Sequence, residues 1–396
     1  MTRTPTDDTT FDLDNFMKND SMKLVRVIAY DTLKFKITKL ILFITFLVHF
    51  STTLIQVYFV CVDFNVYFFV KYAPAMFGSL FVMVSIIALF VTAETDMVVR
   101  VFRKAQLRKL TVEDGPSFHV FQKECKIFTV FFVLNLIIAL FSGYLHALPD
   151  DDDREIFYAF AFFEDYCSEW KDFCSFLYRI TFLPVAYVMY VPINVFVYAA
   201  IHLKSQIYYL KEHLIQINEG YDISNNNDLF YDENYQRIIR EKMIYLYKIH
   251  VKLFLAALDI RKLIRGFIAL FAIVGCLLGI SILYFVMLFQ GNLFDKFGRL
   301  STLTVVAFNS FAAVIISGQM IESSSSDDVD AIIYNCNWYD WNEENKRFFL
   351  LIRMATMHPF KLQFSQNYAV NYQLGVAILK AMYSAFSLLK AIKNDF

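Results

Sequence analysis

The sequence predicts an all-α membrane protein of seven transmembrane helices, with the N-terminus cytoplasmic and the C-terminus extracellular. Three observations carry this. Apolar residues make up 57% of the chain and charged residues only 19%, a balance that soluble domains rarely show. The apolar residues fall in nearly charge-free blocks, each at least the roughly 20 residues a helix needs to cross a bilayer. Only 11 Gly and 7 Pro stand beside 44 Phe and 24 Tyr, which favours long packed helices over a loop-rich chain.

Taken in order, residues 1–39 form a polar N-terminal segment that opens MTRTPTDDTTFDLDNF. It lacks the basic and apolar regions of a cleaved leader, so the first span is expected to act as its own insertion signal. The spans are Leu40–Cys61, Tyr72–Ala93, Ile127–Pro149, Ile180–Leu203, Gly266–Phe294, Leu300–Ile321 and Ser365–Leu389. Lysine and arginine set their direction. Twenty-eight of them lie in residues 1–39, 94–126, 204–265 and 322–364, against six in the alternate loops. That places the basic set in the cytoplasm, the reverse of a G-protein-coupled receptor. The Asn-Pro-x-x-Tyr and Asp-Arg-Tyr signatures of those receptors are absent too. The net charge of −1 gives no global field to recruit nucleic acid.

The organisation is therefore residues 40–203 for the first four spans, 204–265 for cytoplasmic helical extensions, 266–321 for the fifth and sixth spans, 322–364 for a further cytoplasmic helix, and 365–396 for the last span. Ile207, Leu210, Leu214 and Ile217 share one helical face. After a turn-rich break at Gly220–Asp228, Ile239, Met243, Leu246, Ile249, Leu253, Ala256 and Ile260 recur at steps of three and four. Such stripes outside the membrane must be buried against something. Their candidate partners are each other, the helix Arg347–His358 that Pro359 ends, and a neighbouring subunit. Together they read as a helical anchor domain; helices lying on the membrane surface are the competing reading.

The last span is apolar enough to cross yet carries Asn367, Asn371, Gln373 and Lys380. Polar groups at membrane depth must face protein or water, so a pore or pathway is the default reading. Asn367, Asn371 and Gln373 suit either a hydrated cation or hydrogen bonds between packed helices. Near the outer end, Ser384 and Ser387 mix with Phe386 and Leu389, a composition that suits a dewetting gate. Lys380 is expected to face away from a cation lumen.

The runs LLIRMATMHPFKLQ and LKAMYSAFSLL, preceded by ESSSSDDVDAIIYNCNWYDW, resemble the C-terminal signature of insect odorant receptors. The resemblance implies a tuning subunit of a ligand-gated, non-selective channel for monovalent and divalent cations. It implies a heterotetramer with olfactory co-receptor subunits, embedded in the lipid of the sensory dendrite's plasma membrane. It also implies a volatile ligand held in the outer half of the second, third, fourth and sixth spans. The candidates there are Met76, Phe77 and Leu80; Ser142 and His146; Leu183, Tyr187 and Tyr190; and Thr302, Val305 and Val306. Each also suits plain helix packing, and His146 suits the headgroup level. His49, in the first span, reads as a satisfied packing residue. The gustatory receptors share this architecture, but their last span carries a threonine-tyrosine pair and then a glutamine-phenylalanine pair. Met382-Tyr383 and Leu389-Lys390 stand in those places here.

The loop Asp150–Arg179 is acidic and reads as solvated, with the raising of local cation concentration as a second role. It lacks the ligand spacing of a calcium loop, and the six cysteines show no zinc spacing, so no metal site and no cofactor are expected. Cys167 and Cys174 share this outer loop, where an oxidising compartment permits a disulfide, with Cys61 as a competing partner. No nucleophile and base, phosphate loop or pair of catalytic acids suggests an enzyme.

Overall fold

The computed structural model describes residues 20–62, 65–94, 115–151, 153–218, 229–288, 297–356, 361, 363 and 368–394. A short helix α1 (Lys23–Ala29) and a 3-10 turn at Asp31–Lys34 lead into α2 (Lys36–Val62) and α3 (Val66–Glu94). Helix α4 (Pro116–Ala147) is followed by three short helices, α5 (Asp153–Ile156), α6 (Tyr158–Tyr166) and α7 (Lys171–Ile180). Then come α8 (Phe182–Ile215), α9 (Glu233–Leu288), α10 (Phe297–Asn335), α11 (Glu343–Thr356) and α12 (Tyr372–Asn394).

The bundle buries polar side chains among its apolar core and turns large apolar side chains outward. Helix α2 buries Thr45, His49, Thr53 and Gln56 along one stripe and exposes Leu40, Phe43, Leu47, Phe50 and Leu54. Helix α4 buries Asn135 and Ser142 while exposing Ile127, Val130, Leu134, Ile137 and Phe141. Water would reverse that arrangement; lipid favours it, because buried polar groups then find partners and the outward face is as apolar as its solvent. Among the described residues six helices are long and apolar enough to cross a membrane, so the chain is a multi-pass membrane protein. The seventh expected span is present as α12 but is not one of those six.

Several boundaries differ from expectation. The polar run after Ile321 does not end the sixth helix, since α10 continues to Asn335. The last helix starts at Tyr372 instead of Ser365, after a bridge between Gln363 and Ala369. The fourth crossing is split: α7 ends and α8 begins around Thr181, which bonds to His49 midway along α2. The crossing therefore starts within α7, before Ile180. The turn-rich break at 219–228 and the final residues of the fifth span lie outside the described residues.

Two cores result. The larger joins α1 to the crossing helices, with Phe132, Val188, Tyr190, Ile207 and Leu253 inside. The N-terminal segment is pinned to it by Asp20, which accepts from Met22 N at 2.8 Å, from Tyr198 Oη at 2.6 Å, and lies 3.2 Å from His202 Nε2. Burial opposes the charge on Asp20, but bonding to His202, Tyr198 and the Met22 amide outweighs it and holds the carboxyl below its usual range. The second core gathers Leu210, Leu214, Ile217, Tyr235, Ile239, Met243, Leu246, Trp341, Phe349 and Ile352. Leu210–Ile217 of one stripe and Ile239–Leu246 of the other thus bury one another, with α11 closing the third side, while Ile207, Leu253 and Ala256 belong to the larger core.

Candidate ligand site beneath a folded lid

The site lies at the end of the bundle that the charge pattern assigns to the outside. The segment α5–α7 folds over this end as a lid instead of forming a solvated loop. Phe157, Phe160 and Tyr178 turn inward from it, while Tyr166, Trp170, Phe173 and Phe176 stay exposed. The rings of Phe157 and Phe182 lie 5.1 Å apart, Phe160 and Tyr178 5.3 Å, and Tyr178 and Phe182 5.3 Å. These tilted and edge-on pairs are the arrangement that ring quadrupoles prefer. Tyr158 and Phe162 pack separately, around Phe59 at the end of α2.

Two histidines flank this aromatic box. His146, on the last turn of α4, lies 6.0 Å from the Phe182 ring and 6.4 Å from Phe157. Its Nδ1 stands 2.8 Å from the Ser142 carbonyl oxygen. A carbonyl only accepts, so the proton is assigned to Nδ1, and Nε2 of the neutral ring becomes an acceptor. His49 is on the other side, 5.3 Å from the Tyr178 ring. Thr181 Oγ1 donates to the Tyr178 carbonyl at 2.6 Å and so accepts from His49 Nε2 at 3.1 Å. His49 Nδ1 then accepts from Ser79 Oγ at 3.1 Å. Both ring nitrogens are satisfied, which bears out the packing role expected for His49.

An ionic lock fastens the lid. Asp153 is buried, 2.6 Å from Arg179 Nη1 at the end of α7 and 2.9 Å from Arg299 Nη1 near the start of α10. Arg299 also donates to the Leu148 carbonyl at 2.7 Å, and the Arg179 guanidinium covers the Phe160 ring at 4.5 Å. Outside the lock, Lys171 and then Arg154 hold the exposed carboxyl of Glu164 below its usual range. The acidic run is therefore not uniformly solvated: Asp151 is exposed while Asp153 is in the protein interior.

The expected ligand residues divide into groups. Ser142 and His146 border the box. Thr302 and Val306 lie along the facing helix α10, in the seam between the Arg299–Leu148 and Asn309–Asn135 hydrogen bonds. Met76 is buried one turn from Ser79, whereas Phe77 and Leu80 are half-buried, with Phe77 edge-on to Phe69. The fourth-span residues do not converge. Leu183 is 47% exposed. Tyr187 Oη donates to the Ile28 carbonyl at 2.7 Å, in the segment before α2. Tyr190 stacks on Phe132 and donates to its carbonyl at 3.2 Å. Val305 is 42% exposed and points away from the seam. A shared angle on a helical wheel does not make a shared site where a helix is packed on several sides. Phe157, Phe160, Tyr178 and Phe182 escaped sequence reasoning; the aromatic run FYAFAFF after the acidic residues was the signal.

In the last helix, Asn371 is not on an inward helical face but precedes the first turn, where its Oδ1 accepts from Leu374 N at 3.1 Å. Gln373, Ser384 and Ser387 are exposed and Phe386 is half-buried. Asn367 and the Leu389 side chain lie outside the described residues. Tyr372, Val376, Leu379 and Tyr383 form an exposed apolar stripe on α12, beside the exposed Gln373, Lys380 and Ser384. Cys167 and Cys174 are both free thiols, as is Cys61: Cys167 turns the corner between α6 and α7, and Cys174 sits within α7.

Long apolar helices with large apolar side chains outward and polar groups held inside define a multi-pass helical membrane protein. The family model described as 7tm Odorant receptor matches residues 101–383, and the chain belongs to that family, which is one of receptors and not of enzymes. The fold is similar to that of the insect olfactory receptor OR5 from Machilis hrabei in complex with eugenol, with a TM-score of 0.71 at 10% identity, covering 97% of this chain and 100% of that one. The structure of OR5 described without eugenol gives a TM-score of 0.67 at 10% identity, covering 96% and 99%. None of the curated proteins matches the sequence.

Proposed function

We propose that the chain is the odorant-tuning subunit of a ligand-gated, non-selective cation channel in the plasma membrane of a sensory dendrite. It assembles with olfactory co-receptor subunits in a heterotetramer. The observation that carries the reading is the aromatic box beside His146, sealed by the lid. A volatile of modest size would lie against Phe157, Phe182 and the α4–α10 seam, with Ser142, Thr302 and Val306 at its edges. His146 Nε2 would accept a ligand hydroxyl, which apolar pockets use to fix orientation. Ligand opens the pore only by binding the open arrangement better than the closed one. The exposed stripe Tyr372, Val376, Leu379 and Tyr383, with Ser387 beyond it, is the α12 face we assign to the pore and its neighbours. Leu350, Leu351 and Met354 are the exposed apolar residues of α11 that we assign to subunit contact.

The test is current recording from cells expressing the chain with the co-receptor, across a volatile panel that includes eugenol, the ligand in the OR5 structure. His146→Phe should raise the half-maximal concentration of hydroxyl-bearing agonists by about tenfold, the worth of one hydrogen bond. Agonists that lack a hydroxyl should shift far less. Equal shifts for both classes would remove His146 from the site, and currents that do not depend on odorant would remove ligand gating.

A further inference from the structure

Helix α10 receives the start of α12 at a compact joint around Glu322. Glu322 Oε1 lies 2.8 Å from Lys361 Nζ, and Oε2 accepts from Asn371 Nδ2 at 3.0 Å. Almost one turn earlier, Gln319 Oε1 accepts the N–H of Tyr372 at 3.3 Å. A Cβ on Gly318 would stand 2.0 Å from the carbonyl oxygen of Val370, so glycine is what admits this approach of backbone to helix. Val370 itself is buried. The Glu322 carboxylate also sits beside the N-terminus of α12, where negative charge is favoured.

The same helix carries Thr302 and Val306 near its other end. Thr302 and Glu322 are separated by roughly 30 Å of unbroken helix, at the usual rise per residue. A helix contacting ligand at one end and clamped to the next helix at the other is a physical link between two sites, which coupling requires. We propose that Glu322 is a positioning residue for gating, fastening the entry of α12 to α10 so that displacement of α10 by ligand moves α12. This rests on the channel reading above. Lys361 supplies the ion pair and Asn371 the hydrogen bond, and Asn371 passes the constraint on by capping the first turn of α12.

The experiment compares Glu322→Ala, Glu322→Gln, Glu322→Lys, Lys361→Glu and the double reversal, each expressed with the co-receptor. The agonist is eugenol or the most effective volatile of the panel. Single-channel recording separates open probability from conductance, and surface biotinylation counts receptors. Open probability at saturating agonist should fall at least about fivefold in Glu322→Ala and in each single reversal, and recover to within about twofold in the double reversal, a span ordinary for coupled sites. Unitary conductance should not change. A merely structural role would lower the surface count and leave open probability alone. If Glu322→Ala does not reach the surface, Glu322→Gln is read instead, with a smaller fall because its amide oxygen still accepts from Asn371. Unchanged open probability in the surface-expressed variant, or a double reversal no better than its singles, overturns the proposal. Absence of agonist-evoked current from the unmodified chain would instead overturn the channel reading itself, and this proposal with it.

Discussion

Replacing Asp153 by alanine should destabilise the receptor by about 3–5 kcal/mol, the usual cost of leaving buried charge without its partner. Asp153 stands between Arg179 and Arg299, whose side chains are themselves only 18% and 14% exposed. Removing the carboxylate leaves two guanidinium groups close together in a poorly hydrated place. Arg299 retains Asp150 at 3.4 Å and the Leu148 carbonyl. Arg179 keeps only the Phe160 ring among the partners described here. The lid should therefore loosen first at α7. The check is thermal denaturation in detergent, with Asp151→Ala as control. Asp151 belongs to the same acidic run but is exposed, and its loss should cost within about 0.5 kcal/mol. Asp153→Asn, which keeps shape but loses charge, should fall between the two. A melting point for Asp153→Ala no lower than that of Asp151→Ala would mean that the arginines are solvated and the lid is not locked.

That contrast shows what the sequence could and could not convey. Spans were legible because each is a long apolar run. The stripes Leu210–Ile217 and Ile239–Leu246 were legible because helical spacing outside a membrane demands a partner. Depth was not. Thr181 lies level with His49, so α7 carries the crossing although its mixed Lys171–Ile180 sequence reads as loop. Hydropathy windows reward uniform apolarity and miss a helix with one apolar face. The site failed for a related reason. Leu183, Tyr187 and Tyr190 share a wheel angle, but α8 packs against α1, α3, α4, α9 and α10, and each side chain meets a different surrounding. Asp150 to Asp153 look alike as letters, and only the turn into α5 sends the last of them inward. Pairwise geometry of this kind depends on contacts distant in sequence, which local pattern does not encode.

The second core gives the other large effect. Trp341 is 0% exposed, its ring meets Phe349 edge-on at 5.2 Å, and its Nε1 donates to Tyr235 Oη at 3.2 Å. It ties the segment after α10 to the start of α9 and to α11. Trp341→Ala should cost about 3–5 kcal/mol, because the cavity is bounded by long helices that cannot collapse into it. Trp341→Phe keeps most of the volume and loses the hydrogen bond, so about 1 kcal/mol is expected from that bond, with a further packing loss. Tyr339, two residues earlier in the same aromatic run, is 58% exposed and bonds only to nearby Asn337 among the contacts described; its replacement by alanine should cost within about 0.5 kcal/mol. Hydrogen exchange separates the cases. Trp341→Ala should speed exchange in α11 and the first turns of α9 while leaving α2 and α4 unchanged, since those belong to the other core. Faster exchange across the whole bundle would show that the two cores fold as one, and equal effects of Trp341→Ala and Tyr339→Ala would show that Trp341 does not anchor the second core.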